Sequence, residues 1–252
     1  MTSKRALLIG LVGLAAGIPT VRYFRDLFEP LPEFESLVEP PGFRRISGGP
    51  STSGFDPFVG LDAADSRPRS VSVEEVKADI CAALYGSSTF NPDTVSIASF
   101  SDYYCPYCRV QTKRLADIGA ELGSEVHIEW HELPLLGETS QLATRAALAA
   151  KRQGAYLAFH ERLLSSPFQA TPEYLERLSV ALEIDPERLK ADMASDGVAR
   201  ELDTSAVLSE IFAFIGTPAM VIGRTVIQGQ VTDRTIRSIV DIEKTQDWTQ
   251  AC

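Results

Sequence analysis

The chain has 252 residues, 44% of them hydrophobic and 23% charged, enough for one sizeable domain with an appendage or for two small domains. A net charge of -10 argues against a nucleic-acid binder, since phosphate recognition needs concentrated Lys and Arg. Four cysteines are too few for a disulfide scaffold, yet enough for one reactive pair and one structural pair.

Lys4 and Arg5 precede an uncharged, largely apolar run at residues 6–21, closed by Arg22. A charged start and an apolar middle match an export signal. The run is shorter than the ~20 residues of an average spanning helix. Residues 1–25 are therefore read as a signal peptide or a retained N-terminal membrane anchor, and either places the chain outside the cytoplasm. Residues 26–70, rich in Pro, Gly and Ser, read as a linker whose last part could dock through Phe55, Phe58, Val59 and Leu61.

Folding patterns begin near Val71. Residues 73–85 carry apolar side chains at helical spacing, with Ser72 as cap and Gly86 as stop. Val95–Phe100 is an apolar run that predicts a buried strand, and a helix follows to about Leu122. Cys105, Pro106, Tyr107 and Cys108 stand between them. Two thiols are thus placed where a helix begins, where unpaired N–H groups and the positive dipole end favour a thiolate. Such a dithiol can attack a disulfide, be attacked in turn and close into a ring. Pro106 suits the first turn, where a missing N–H costs nothing. The rival reading is half a zinc site, completed by His127 and His131. Its spacing is longer than a small finger allows, and a full helix fills the gap. His127 and His131 fit a predicted strand at 126–132, as ordinary strand residues on one side of a sheet.

Residues 140–214 read as nearly continuous helix with capped starts at Thr171 and Asp185; His160 reads as a packed surface-edge histidine. Ala219–Ile222 and Thr225–Gln228 predict a hairpin turning at Gly223 and Arg224, before a last helix from Asp233 to about Gln246. A βαβ unit followed by a hairpin and a helix makes one mixed sheet covered on both faces, an α/β domain.

This order, with a CxxC pair after the first core strand and helices before a hairpin, resembles the DsbA-like branch of the thioredoxin superfamily over residues 71–246. Residues 100–108, Leu133–Gly137, the Ala-rich helix at 143–150 and Gly216–Gly223 carry the resemblance. It implies a thioredoxin fold within residues 71–252, with a helical insert at about 139–214, and a cis bond at Thr217–Pro218. It further implies that Pro106, Tyr107, Thr217 and Pro218 contact substrate, whose extended chain pairs with the cis-proline loop by β-augmentation. In the family an acidic residue often stands six positions before the first cysteine, and here that position is Ser99. Proton transfer to Cys108 would then use water, Asp102 or another group. Tyr107 stands where the strongest oxidants of the family carry His and adds no positive charge.

The expected function is that of an enzyme, an exported thiol:disulfide oxidoreductase that forms disulfides in secreted or periplasmic proteins. Cys105 is the nucleophile and Cys108 the resolving thiol. No cofactor beyond this pair and no metal is expected, and a membrane redox partner would recycle the dithiol. Tyr103, Tyr104, Tyr107 and Leu135 are candidates for an apolar rim. An isomerase or reductase of the same fold is the alternative, favoured by Thr217 and Tyr107. A non-enzymatic holdase is disfavoured by the two intact thiols, and a glutathione-transferase-like relative by export and the second cysteine. Cys81 and Cys252 remain; in an oxidising compartment they would pair, although Cys81 could be a buried apolar residue and Cys252 a free or intermolecular thiol.

Overall fold

Val95–Ser101 is buried along its whole length, which a strand achieves with sheet neighbours on both edges and helices over both faces. The structure, a computed structural model, describes residues 33–54, 69–87 and 89–252. The expected export segment at 6–21 and the docking residues Phe55, Phe58, Val59 and Leu61 lie outside the described residues. Among the described residues no helix is long and apolar enough to cross a membrane. The described residues from Phe34 to Cys252 form one compact unit.

Its sheet contains β1 (Glu35–Ser36), β2 (Arg44–Ile46), β3 (Val95–Ser101), β4 (Val126–Glu132), β5 (Ala219–Ile222) and β6 (Thr225–Gln228) in the order β1-β2-β6-β5-β3-β4. β3 pairs with β4 in parallel and with β5 antiparallel, and β5 and β6 form the hairpin. The helices are α1 (Val73–Ala78), α2 (Ile80–Tyr85), α3 (Pro106–Leu122), α4 (Glu138–Lys151), α5 (Tyr156–Ser165), α6 (Pro172–Ala181), α7 (Pro186–Met193), α8 (Asp196–Ile211) and α9 (Asp233–Thr245). The single helix expected at 73–85 is broken by Asp79, whose backbone leaves the helical region and whose side chain caps α2 by accepting the Ala82 N–H at 3.0 Å. Ser72 caps α1 and Gly86 closes α2 at a positive φ of 69°.

The expected linker at 26–70 needs correction at its centre. Phe43 and Ile46 are 2% exposed and belong to the core around the sheet. β2 runs parallel to β6, and Arg44 holds it there by donating to Thr225 Oγ1 and Gln246 and by pairing with the buried Glu243 carboxylate at 2.7 Å. Phe43 packs edge-on against Phe212, with ring centroids 5.2 Å apart. Aromatic burial and a compensated buried charge overcome the low strand propensity of this Gly/Pro-rich stretch.

A second core lies in the helical insert, where Ala143, Ala146, Ala147, Ala149 and Ala150 are fully buried on α4. Short side chains let α5, α7 and α8 approach α4 closely. Tyr103, from the loop after β3, belongs to this core and joins the two halves.

A disulfide joins Cys81 on α2 to Cys252 across 171 residues. The tail that carries it is docked: Trp248 is fully buried, edge-on to Tyr85 and Phe90 at 5.6 and 5.1 Å. The chain-entropy treatment gives about 5 kcal/mol for so long a loop, an upper limit because the tail packs without the bond. Replacing both cysteines by Ala is expected to lower stability by about 2–5 kcal/mol in denaturant titration, while thiol exchange at Cys105 is retained.

Candidate active site

β3 delivers the chain to Asp102, which is fully buried. Its carboxylate accepts four hydrogen bonds: from Tyr104 N–H (2.8 Å) and Ser140 Oγ–H (2.8 Å) on one oxygen, and from Leu135 and Leu136 N–H (2.7 and 3.0 Å) on the other. The loop after β3, the loop after β4 and the start of α4 are thereby bound to one anion. Both oxygens are occupied, so Asp102 is an anchor and has no acceptor to spare for carrying a proton to Cys108.

Cys105 is the N-cap of α3, and Pro106 follows in the first turn. The Cys108 N–H donates to Cys105 Sγ at 3.2 Å, and the Cys105 thiol donates to the Thr217 carbonyl at 3.2 Å. Thr217–Pro218 is a cis bond, and both residues are buried. Neither Cys105 nor Cys108 has exposed surface. The two thiols are free, and their environments differ in opposite senses. Cys105 is lowered to about 6, chiefly by a hydrogen bond from the Cys108 side chain; burial opposes this, and Thr52, Thr217 and the Cys108 N–H add to it. Cys108 is raised beyond the ordinary thiol range by burial, with the adjacent Cys105 adding to the rise. One thiolate is stabilised and the other suppressed, which suits attack by one sulfur and resolution by the second.

The pattern that defines the DSBA-like thioredoxin domain matches residues 96–240, more than half of the chain. The chain belongs to the DsbA-like thioredoxin family. A thioredoxin-like oxidoreductase from Silicibacter pomeroyi DSS-3 is 30% identical and superposes with a TM-score of 0.60, over 66% of this chain and 98% of that one. A periplasmic thioredoxin-like protein from Salmonella enterica serovar Typhimurium is 26% identical with a TM-score of 0.55, over 66% of this chain and 96% of that one. The Na(+)/H(+) antiporter NhaA 3 of Salinispora tropica is 28% identical over 126 residues, 49% of this chain and 19% of the antiporter. The chain thus spans about a fifth of the length of the curated relatives it matches first.

Within this DsbA-like site, Pro106 is exposed and Tyr107 and Leu135 are half-buried beside the thiols' end of α3. Tyr103, 2% exposed, does not form a rim, whereas Tyr104 is half-buried. Tyr104 O–H accepts the Ala170 N–H at 2.6 Å, and Tyr103 points into the helical insert. There Tyr103 and Tyr156 donate to Glu132 Oε1, which also faces His160 Nδ1 at 3.2 Å. His160 is 2% exposed, so the expected surface-edge position is corrected: it stacks on Tyr156 and belongs to a buried network. Burial and the Glu132 charge push both tyrosines well above their usual range, so they act as donors. Sequence reading missed this network because its members are spread over β4, α5 and the loop after β3. His131 donates its Nε2–H to the Leu84 carbonyl at 2.8 Å and faces Ser205 through Nδ1, whereas His127 is exposed. The nitrogens a zinc ion would need on His131 are already engaged.

Two measurements test this arrangement. Thiolate absorbance should titrate near pH 6 in the reduced protein and vanish in Cys105→Ser. Because the folded state depresses this group, the reduced protein gains stability as pH rises from about 6 toward the ordinary thiol range near 8.5, and loses it as pH falls through 6. In the second, Asp102→Ala strands three N–H donors and one hydroxyl, each costing about 1–3 kcal/mol, so a loss above ~3 kcal/mol is expected by urea titration.

Proposed function

We propose that this protein is an exported thiol:disulfide oxidoreductase whose main reaction is disulfide formation in secreted or periplasmic proteins. The observation that carries the proposal is the pair of free thiols at one helix start, with Cys105 at the cap and hydrogen-bonded to the cis-proline loop; the lowered Cys105 and raised Cys108 agree with it. In the oxidised enzyme a substrate thiolate attacks Cys105 Sγ, the Cys105–Cys108 bond breaks, and Cys108 leaves and takes up a proton. A second substrate thiolate then attacks the substrate sulfur of the mixed disulfide, and Cys105 leaves as a stabilised thiolate. The substrate loses two electrons and the enzyme gains them; a membrane redox partner would return the pair to the disulfide.

Export is supported by the charged start and apolar run at 4–21 and by the periplasmic origin of a relative. Pro106, Tyr107, Thr217 and Pro218 would form the substrate-contacting surface. A lowered Cys105 near 6 lies between the thiols of the strongest reductants and strongest oxidants. The isomerase or reductase alternative keeps in its favour Tyr107, which brings no positive charge to the thiolate.

Equilibration with glutathione decides the direction. A potential between about -270 and -120 mV, well above the thioredoxin end, is expected, together with oxidation of a reduced unfolded protein. A potential at or below the thioredoxin end would make the reductase reading the correct one. Cys105→Ser should abolish exchange, and Cys108→Ser should accumulate the mixed disulfide.

A further inference from the structure

The main-chain groups of Thr217 are already taken. Its N–H donates to the Thr52 carbonyl at 2.9 Å, and its carbonyl accepts the Thr52 N–H at 2.7 Å, an isolated antiparallel bridge. The same carbonyl accepts the Cys105 thiol. Nearby, the Gln230 N–H donates to the Pro50 carbonyl at 2.9 Å.

Residues 48–54 therefore continue from the end of β2, pass Gln228 and Gln230, bridge Thr217 and reach Leu135. Glycines allow so close a path. A Cβ on Gly48 would lie 1.7 Å from the Gln228 carbonyl oxygen, one on Gly49 would lie 2.2 Å from that of Gln230, and one on Gly54 would lie 2.2 Å from that of Leu135. On the opposite side, a Cβ on Gly216 would come within 2.6 Å of the Thr52 carbonyl oxygen. Backbone lies on backbone along this path, as in the addition of a strand to a sheet edge.

An extended substrate read through its main chain needs a free donor and acceptor at such an edge. With residues 48–54 in place Thr217 offers neither, and Cys105 has no surface for a substrate sulfur to reach. We propose that residues 48–54 are an autoinhibitory strap, a built-in occupant of the substrate edge that an incoming extended chain must displace to reach Cys105. This rests on the functional reading given above and adds that the chain regulates its own site.

The strap's composition suits displacement. Ser51, Thr52 and Ser53 bury no large apolar surface, and Ser53 and Gly54 are exposed, whereas Phe43 and Ile46 anchor the preceding strand in the core. Segments with few apolar contacts open at low free energy. The Thr52 side chain adds to the lowering of Cys105. Closed, the strap stabilises the thiolate and hides it.

The test uses the full chain carrying Cys108→Ser and an extended peptide whose one cysteine is a nitrothiobenzoate disulfide. The Cys105 thiolate attacks the peptide sulfur, a Cys105–peptide disulfide forms, and the nitrothiobenzoate thiolate leaves and is counted by its colour. Amide exchange is then followed by NMR. The Thr52 amide should exchange at least about tenfold faster in the adduct than in the free protein, while Val221 in β5 is unchanged. Thr52 still protected in a formed adduct overturns the strap and leaves the functional reading intact. In a second arm, run at a pH above the ordinary thiol range so that Cys105 is a thiolate in both proteins, Thr52→Pro with Gly54→Val removes the Thr52 donor, and adduct formation should quicken at least about tenfold. Equal rates overturn the strap. No adduct with either protein overturns the functional reading, and the strap with it.

Discussion

A single buried carboxylate fixes the geometry on which the site depends. Asp102 sits where the loop after β3, the loop after β4 and the helical insert meet, and its four hydrogen bonds draw on all three. A buried anion is tolerable only when its oxygens are satisfied, and charge-assisted bonds to backbone N–H are the strong kind. The cost of leaving any one donor unpaired makes the arrangement cooperative. The loop before Cys105 cannot shift without disturbing Leu135, Leu136 and Ser140. Glu132 makes a second link through one oxygen, Oε1, tying Tyr103 to Tyr156 and His160 in the insert. The insert is bolted to the thioredoxin part at two buried acids, Asp102 just before the dithiol and Glu132 through Tyr103.

The difference between the two sulfurs follows from place, since their chemistry is identical. Cys105, at the helix cap, receives the Cys108 N–H and faces the Thr217 carbonyl edge. Cys108, one turn into the helix, has burial as its largest influence. The low-affinity-for-proton sulfur is thus the better leaving group and the more abundant thiolate, and the other holds its proton until a disulfide must be resolved. Tyr107, between them, supplies no charge, so the stabilisation of Cys105 comes from hydrogen bonds and helix geometry.

Much of this was legible in the chain. β4 and the β5–β6 hairpin fall where alternation and turn residues put them, because an isolated periodic pattern carries its own register. The CxxC pair and the cis-proline loop were legible through motif and resemblance. What escaped was stabilised by distant partners. β2 looks like linker until Arg44 meets Glu243, 199 residues away, and Phe43 meets Phe212. His160 looks like a surface residue until Glu132 and the two tyrosines close around it. Residues 48–54 carry Gly, Ser and Pro, the composition of a flexible tether. The same glycines serve here to let two backbones touch, and composition alone does not separate these uses.

The contrast between the two ends of that N-terminal stretch has a quantitative consequence. β2 is held by buried aromatics and a buried ion pair, so it stays on the sheet whether or not the site is occupied. The strap begins two residues after β2 ends and is never far from Thr217. A tethered occupant competes at the effective concentration set by its short connection, about millimolar for short flexible links. A free peptide of equal intrinsic affinity would rarely win against it. A substrate must therefore bring more than the shared main-chain bonds: a second contact on the exposed side chains around the site, or the covalent bond at Cys105 itself. Ile215, 76% exposed at the head of the cis-proline loop, offers apolar surface for such a contact. Selection at this site then falls on what a chain offers in addition to its backbone, because the backbone contacts are already matched from within.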